Sequence, residues 1–209
     1  EAMARELEGP DGDIATEDGA TVVPTQDARE WLRTASRFDG ASGVAIVLPV
    51  PAKAAAGIAA IGYQPEPDPH CTLAFLGPAE SMTPDQRDLI RAVLRSWAAR
   101  WYQLGCTISG VGRFTGESGR DPVYVSPSAA DLTRARESLV AALEAVGIQQ
   151  ASGHGFVPHI TLTYVPTGAN MPTVTIEPES KTFTFDRIEL WAGVAHESFP
   201  MLGAVTEVE

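Results

Sequence analysis

The chain has 209 residues, of which 44% are hydrophobic, and it carries a formal net charge of −12 at pH 7. This length and hydrophobic fraction are enough for one good-sized core or two small lobes, and they exclude collagen-like, coiled-coil and wholly disordered proteins. The acidic balance argues against binding of long DNA or RNA, because that mode of binding needs a basic face.

The cysteines, the histidines and the lack of targeting or membrane-spanning segments indicate the compartment and the cofactor requirement of the protein. The two cysteines make no disulfide framework, and no apolar run reaches membrane-spanning length. No signal-peptide pattern opens the chain, so we expect a cytoplasmic protein with free thiols that does not bind a membrane. A zinc site is the alternative use of these residues, but the four His and two Cys include no tight ligand spacing. We therefore expect neither a metal nor another cofactor.

The N-terminal segment differs in composition from the rest. Residues 1–24 are acidic with Arg5 as their one basic residue, which predicts a flexible extension. Residues 25–41 should hold a short helix, capped by Thr25, and a linker. We assign residues 42–200 to the main domain and 201–209 to a C-terminal tail.

Apolar runs and prolines predict the first elements of the main domain. Val44 to Val50 is a nearly continuous apolar run, typical of a central strand that is buried on both faces. The alanine-rich stretch from Ala52 to Ile61 predicts a helix, which the prolines after it break. Thr83 and Pro84 match the cap and first position of a second helix that ends near Gly105. Its apolar residues at helical spacing are Leu89, Ile90, Val93, Leu94, Trp97 and Trp101.

The second half of the domain alternates in the same way. We expect strands at Cys106–Ile108, Val123–Val125, near Thr173–Ile176 and over Thr182–Trp191. The sequence GVGRF (Gly110–Phe114) predicts a hairpin or loop, and it is no P-loop because no Lys-Ser or Lys-Thr follows. Ser128 and Asp131 resemble a capping box for a helix that Gly147 would stop. The apolar residues of that helix are Leu132, Ala135, Leu139, Leu143 and Val146.

Two segments of the chain match each other. PHCTLAFLG runs from Pro69 to Gly77, and PHITLTYVP runs from Pro158 to Pro166. Both read Pro, His, any residue, Thr, Leu, a small residue, an aromatic, an aliphatic and a turn former. Each has the composition of a short strand that begins after a proline. We interpret the two segments as an internal duplication.

The two duplicated segments contain the residues that we expect to be catalytic. Side chains alternate along a strand, so His70 and Thr72 share a face, as do His159 and Thr161. Two such strands side by side would place two imidazoles and two hydroxyls around one cleft. One neutral His can take a proton from an attacking water or ribose hydroxyl while the other, protonated, gives one to the leaving oxygen. The Thr hydroxyls can donate to the non-bridging oxygens. For either His taken alone a structural role remains the alternative.

The two His-x-Thr-Leu motifs resemble those of the 2H phosphoesterase superfamily, which includes bacterial 2′-5′ RNA ligase-like proteins and cyclic phosphodiesterases. The runs VAIVLPVP, GVGRF and FDRIELW lie where that family has comparable segments, so the resemblance covers roughly Ser42 to Phe199. It implies an α+β fold of two duplicated lobes, with antiparallel-rich sheets lining a central groove and helices on the outside. One departure is that Thr163, Tyr164 and Val165 stand where some relatives carry a basic residue.

The resemblance also implies which residues are catalytic and which contact the substrate. The catalytic set would be His70, Thr72, His159 and Thr161, with no metal. Local positive charge would help an acidic protein to bind a phosphodiester, and an aromatic ring could stack on a base. The residues expected to contact the substrate are Phe75, Arg113, Phe114 and Tyr164. Nothing in the sequence connects His196 to this site.

The expected activity is a metal-independent phosphodiesterase acting on a small nucleotide. The substrate would be a cyclic oligonucleotide signal, a 2′-5′ linkage or a 2′,3′-cyclic phosphate, and degradation of a host immune cyclic nucleotide is one form of this activity. Two alternatives stay open. One is an RNA-end-processing 2′,3′-cyclic phosphodiesterase or 2′-5′ RNA ligase, and the other is a nucleotide-binding module without turnover.

Overall fold

The computed structural model describes residues 43–115, 119–151 and 156–203, together with two short N-terminal strands. These strands, β1 (Ile14–Ala15) and β2 (Thr21–Val22), pair antiparallel. The predicted helix within residues 25–41, most of the predicted extension and residues 204–209 lie outside the described residues. The domain boundaries therefore stay predictions.

Three helices follow the second short strand in the described ranges: α1 (Ala52–Ala55), α2 (Pro84–Ala98) and α3 (Leu132–Glu144). The strands of the main domain are β3 (Gly43–Pro49), β4 (Ile58–Ala60), β5 (His70–Pro78), β6 (Leu104–Arg113), β7 (Arg120–Ser128), β8 (Ile160–Pro166), β9 (Val174–Ile176), β10 (Thr182–Phe185), β11 (Arg187–Ala192) and β12 (Ala195–Pro200). Short 3₁₀ turns cover Ala79–Ser81 and Pro178–Ser180.

Eight of these strands form one antiparallel sheet in the order β10-β6-β7-β8-β5-β3-β11-β12, and β4 pairs with β9 separately. The sheet has two four-stranded halves. They meet between β8 and β5, where one residue pair, Cys71 with Ile160, joins them. The mostly antiparallel α+β architecture in two halves agrees with the fold that the sequence predicts. The predicted strand at Val44–Val50 is confirmed, since β3 lies inside the sheet and most of its residues are buried.

The helices cover the apolar face of the sheet. The buried residues of α2 and α3 share one core with Leu48, Leu73 and Leu162 of the strands, as expected from helical periodicity. Leu89 is an exception, because 42% of it is exposed. The helix α2 begins with a capping box in which Thr83 and Gln86 bond reciprocally.

Four local predictions need correction. The helix at Ala52 ends after four residues, because the chain turns at Gly57, where an added Cβ would overlap Ser180, and then pairs as β4. The second predicted helix ends at Ala98 and not near Gly105. The hairpin predicted at GVGRF is confirmed, because its GVGR residues lie in β6, which pairs antiparallel with β7. Asp131 precedes α3 but makes no capping bond, and pairs with Arg134 at 2.9 Å instead. The final predicted strand is two strands, β10 and β11, which pair with different neighbours.

Candidate active site

The two motif strands are neighbours in the sheet. Cys71 pairs antiparallel with Ile160, and each follows the histidine of its motif. Extended by one residue in each direction, this antiparallel register would set position 70 opposite 161 and position 72 opposite 159, so that each imidazole position faces the threonine of the other copy. Cys71 and Ile160 are fully buried beneath this arrangement, as expected for Cys71. The duplicated strands thus bring the four predicted catalytic residues together.

A β-bulge occurs at the same place in both motifs. In the pairing of β5 with β3 the register skips Leu73, and in the pairing of β8 with β7 it skips Leu162. Both leucines stay in the core, at 2% and 6% exposure. A bulge shifts all later side chains by one face. Phe75, five residues after His70, therefore returns to the face that His70 and Thr72 occupy.

Both imidazoles are anchored in the same way. His70 Nδ1 lies 2.7 Å from the carbonyl oxygen of Asp68, and His159 Nδ1 lies 2.9 Å from that of Val157. A carbonyl oxygen can only accept, so we assign the proton to Nδ1 in each ring. This tautomer makes Nε2 the nitrogen through which either histidine would exchange a proton with a substrate.

His159 is enclosed by aromatic rings. Its ring lies edge-on to Phe114 and Tyr124, with centroids 5.0 and 5.7 Å away, and these two rings stack on each other at 4.2 Å. Burial, together with charge on His70, lowers the pKa of His159 to about 4 against a raising effect of the Val157 carbonyl. His159 is therefore neutral at pH 7, and the two histidines are close enough to interact electrostatically.

His70 has different surroundings. Trp191 lies edge-on to it, with the ring centroids 4.3 Å apart. Burial lowers the pKa of His70, while the Asp68 carbonyl and the charges of Asp68 and Glu189 raise it, and charge on His196 lowers it. The two imidazoles thus share a backbone anchor but differ in the charges that face them.

Comparison with known proteins identifies the family. The model of the 2′-5′ RNA ligase superfamily matches residues 32–197, which is most of the chain. The chain belongs to this superfamily. Its members, the 2H phosphoesterases, act on phosphodiester bonds, and this chain is accordingly a phosphodiesterase.

Solved structures agree with this fold. TT0787 of Thermus thermophilus is 18% identical with a TM-score of 0.57, covering 77% of this chain and 99% of its own. Escherichia coli LigT in complex with 3′-AMP is 19% identical with a TM-score of 0.54, covering 79% and 99%. A protein described as a phosphoesterase is 15% identical with a TM-score of 0.55, covering 77% and 99%. No curated protein sequence matches the chain.

Arg113, expected to contact the substrate, is held in an ion pair in this 2H phosphoesterase. Its Nε and Nη2 donate to Asp121 Oδ2 at 3.0 and 2.5 Å, and Nη1 donates to the carbonyl of Ala169. The Asp121 side chain is fully buried, and that of Arg113 is 12% exposed. The pair fixes the β6–β7 hairpin, and the bond to Ala169 connects that hairpin to the loop after β8.

The three expected aromatic contacts lie in different settings. Phe114 is 2% exposed and packs beside His159, so it supports the imidazole and presents little surface to a base. Phe75 is 9% exposed. Tyr164 is 38% exposed, and the Arg120 guanidinium lies 5.7 Å from its ring centroid. Tyr164 therefore has the most surface available for stacking on a base.

His196 is closer to the candidate site than the sequence suggested. It pairs with Trp191 across the β11–β12 hairpin, and the two rings stack with centroids 4.2 Å apart. Because Trp191 also contacts His70, the expectation that His196 is unconnected to the site is wrong. Gly193 is the sequence feature that could have predicted this hairpin, because a glycine favours the positive φ, here +63°, that a tight turn requires. The hairpin in turn brings Trp191 and His196 side by side.

A cavity of about 570 Å³ adjoins the His70 side of the site. Its wall includes Trp191 and His196, the carboxylates Glu66 and Asp68, and apolar residues of α1 and β8. No group of three His, Cys, Asp or Glu side chains suited to a metal occurs in the described ranges. Within those ranges no helix has the length and apolarity needed to cross a bilayer.

Proposed function

We propose that the chain cleaves a small nucleotide phosphodiester by metal-independent acid–base catalysis, with His70 and His159 as the proton carriers. The observation that supports this most strongly is the meeting of the two His-x-Thr strands at the Cys71–Ile160 pair, with both Nδ1 atoms anchored to carbonyl oxygens. One imidazole removes a proton from the attacking water or ribose hydroxyl. The other protonates the departing oxygen, and each reaction cycle returns both to their starting states through solvent.

The threonines have the second role. Thr72 and Thr161 lie on the same face as the imidazoles and are partly exposed. Each hydroxyl can donate a hydrogen bond to a non-bridging oxygen of the phosphate, where negative charge accumulates in the transition state. Their positions across the strand boundary would place one donor on each side of the phosphorus.

A small substrate fits the charge of the chain. The net charge is −12, and two arginines near the site, Arg113 and Arg187, are paired with Asp121 and Glu189. Contact with one phosphate requires far less positive charge than tracking a polymer does. LigT, which shares the fold, has been crystallised with 3′-AMP and with NADP⁺, both small nucleotides. The substrate classes to test are 2′,3′-cyclic phosphates, 2′-5′ linkages and cyclic oligonucleotides, including those that act as immune signals.

The experiment is a product analysis by chromatography and mass spectrometry, with a chelator present throughout. The panel contains 2′,3′-cyclic mononucleotides, 2′-5′ dinucleotides, cyclic di- and trinucleotides, and an RNA that ends in a 2′,3′-cyclic phosphate. We expect turnover of one small class, with a shallow dependence on salt. Turnover of the RNA alone, weakening steeply with salt, would favour RNA-end processing. Binding without turnover of any member would favour a nucleotide-binding module.

A further inference from the structure

Glu189 is a buried carboxylate on the side of the sheet that carries His70. It is 7% exposed and accepts three hydrogen bonds, from Arg187 Nε at 2.9 Å, Ser198 Oγ at 2.8 Å and Trp191 Nε1 at 2.8 Å. Burial raises the pKa of Glu189, but these donors, with the charge of Arg187, outweigh that effect and hold the pKa below its usual value. The carboxylate is thus ionised at neutral pH and fixes the Trp191 indole.

The fixed indole contacts both neighbouring histidines. One side of Trp191 lies edge-on to His70 at 4.3 Å, and its plane stacks on His196 at an angle of 5°. Rotation of the indole would break its bond to Glu189 and its stack on His196. Trp191 therefore holds the His70 ring from the side, while the Asp68 carbonyl holds Nδ1. Together these contacts leave His70 little orientational freedom.

The side chains that surround His159, the histidine of the second motif, differ from those that surround His70. His159 lies against the hydrocarbon edges and faces of Phe114 and Tyr124. The titratable groups that face His70 are Asp68 and Glu189, whose charges favour its protonation, and His196 and His159, whose protonation opposes it. Arg187 also lies nearby, but its charge is directed to Glu189 and Asp186. The duplication is thus chemically asymmetric.

We propose that Glu189, acting through Trp191, is a positioning residue that makes His70 the proton donor of the reaction and leaves His159 as the proton acceptor. This inference rests on the proposed function. A bound phosphodiester adds a negative charge that favours protonation of either imidazole, and the one already facing two carboxylates takes the proton first. His159 then removes a proton from the nucleophile as its oxygen bonds to phosphorus. The bond to the leaving oxygen breaks, and that oxygen takes the proton of His70.

A leaving-group comparison separates the two roles. A nucleoside leaving group needs a proton, whereas 4-nitrophenolate leaves without one. Two diesters are compared. One is the best substrate of the panel, which has a nucleoside leaving group, and the other is thymidine 5′-(4-nitrophenyl phosphate), which releases 4-nitrophenolate. We expect His159→Gln to lower kcat/KM for both diesters, and His70→Gln to lower it about 10²- to 10⁴-fold for the nucleoside diester alone, with a change of under about tenfold for the nitrophenyl diester.

Glu189→Gln tests the positioning role. It should reproduce the leaving-group dependence of His70→Gln, but with a smaller decrease in kcat/KM for the nucleoside diester. We expect a decrease on the order of tenfold, which corresponds to the loss of one hydrogen bond to a charged group. NMR titration of ¹³C-labelled histidine should show the His70 midpoint moving to lower pH, with His159 little changed. Glu197→Gln is the matched control: its carboxylate pairs with Arg91 of α2, and we expect no effect on either readout.

The outcomes distinguish this inference from the proposed function. Equal losses on both diesters for the two histidine variants, or an unchanged His70 titration in Glu189→Gln, would overturn the inference while the phosphodiesterase stands. The reverse pattern, with His159→Gln sparing the nitrophenyl diester, would assign the roles the other way round and also overturn it. If the wild-type chain cleaves neither diester, both proposals fall. Trp191→Phe, which keeps a ring beside His70 but removes the indole donor, guards against misfolding of Glu189→Gln and should repeat its leaving-group dependence, while the His70 midpoint should not move to lower pH because the Glu189 charge remains.

Discussion

Replacement of Arg113 by Ala tests whether this residue serves the fold or the substrate. The substitution removes the counter-charge that Arg113 brings to the fully buried Asp121 carboxylate, together with bonds to the carbonyls of Pro166 and Ala169. Loss of one partner of a buried ion pair costs about 3–5 kcal/mol. For a domain of this size that corresponds to a decrease of roughly 6–20 °C in Tm.

Urea unfolding, followed by circular dichroism, measures the change in the free energy of unfolding. Arg134→Ala is the matched control, because Arg134 pairs with Asp131 in solvent, with side chains 71% and 50% exposed. Such a pair contributes about 0–1 kcal/mol, so the control should be nearly as stable as the wild type. An Arg113→Ala protein of wild-type stability that binds nucleotide weakly would refute the structural role and restore Arg113 as a substrate contact.

Three further tests probe the site and its support. Thr72→Val and Thr161→Val should each lower kcat about 10²- to 10³-fold without loss of stability, and wild-type rates would argue against their role as donors to the phosphate. Because the pKa of His159 is lowered to about 4 in the folded chain, stability should fall as the pH decreases from about 6.5 towards 4, and the His159→Gln variant should lose this part of the pH dependence in urea titrations. Gly112→Ala would place a Cβ against the Tyr124 ring, so we expect a lower Tm and a shifted His159 NMR titration, whereas an unchanged protein would show that the ring can move aside.

The motif strands were accessible from the sequence because their evidence is local. A proline, a β-branched or aromatic run and a period of two define each strand, and the repetition of His and Thr indicates which face matters. The structure places His70 at the start of β5 and His159 directly before the adjacent strand β8, as that pattern requires. The position of Phe75 was not accessible in this way. Strict alternation assigns it to the face opposite His70, and only the bulge at Leu73 reverses the assignment.

Long-range pairings account for most of what the sequence did not reveal. The ion pair of Arg113 with Asp121 depends on how the chain folds back between β6 and β7. The approach of His196 to His70 depends on the β11–β12 hairpin and on the ring of Trp191 between them. Alternation along β11 does place Glu189 and Trp191 on one face, yet their relation to His70 requires the order of strands in the sheet.

The short first helix shows the other limit of local signals. Alanine-rich sequence favours a helix from Ala52 onwards, but Ile58 to Ala60 gains more by pairing with β9 and burying Ile58. Helix propensity contributes tenths of a kcal/mol per residue, whereas burial of an isoleucine side chain contributes about 1.5–3 kcal/mol. Tertiary contacts therefore decide the conformation of this segment.

The most direct test of two-histidine catalysis is a double-mutant cycle on the best substrate of the panel, with a chelator present. kcat is measured for the wild type, His70→Ala, His159→Ala and the double variant, after confirming that each is folded. If both imidazoles act in one proton-transfer unit, each single variant loses about 10²-fold or more and the double variant loses little beyond the worse single one. Losses that multiply, or a single variant with wild-type kcat, would contradict a shared site in which both histidines carry protons.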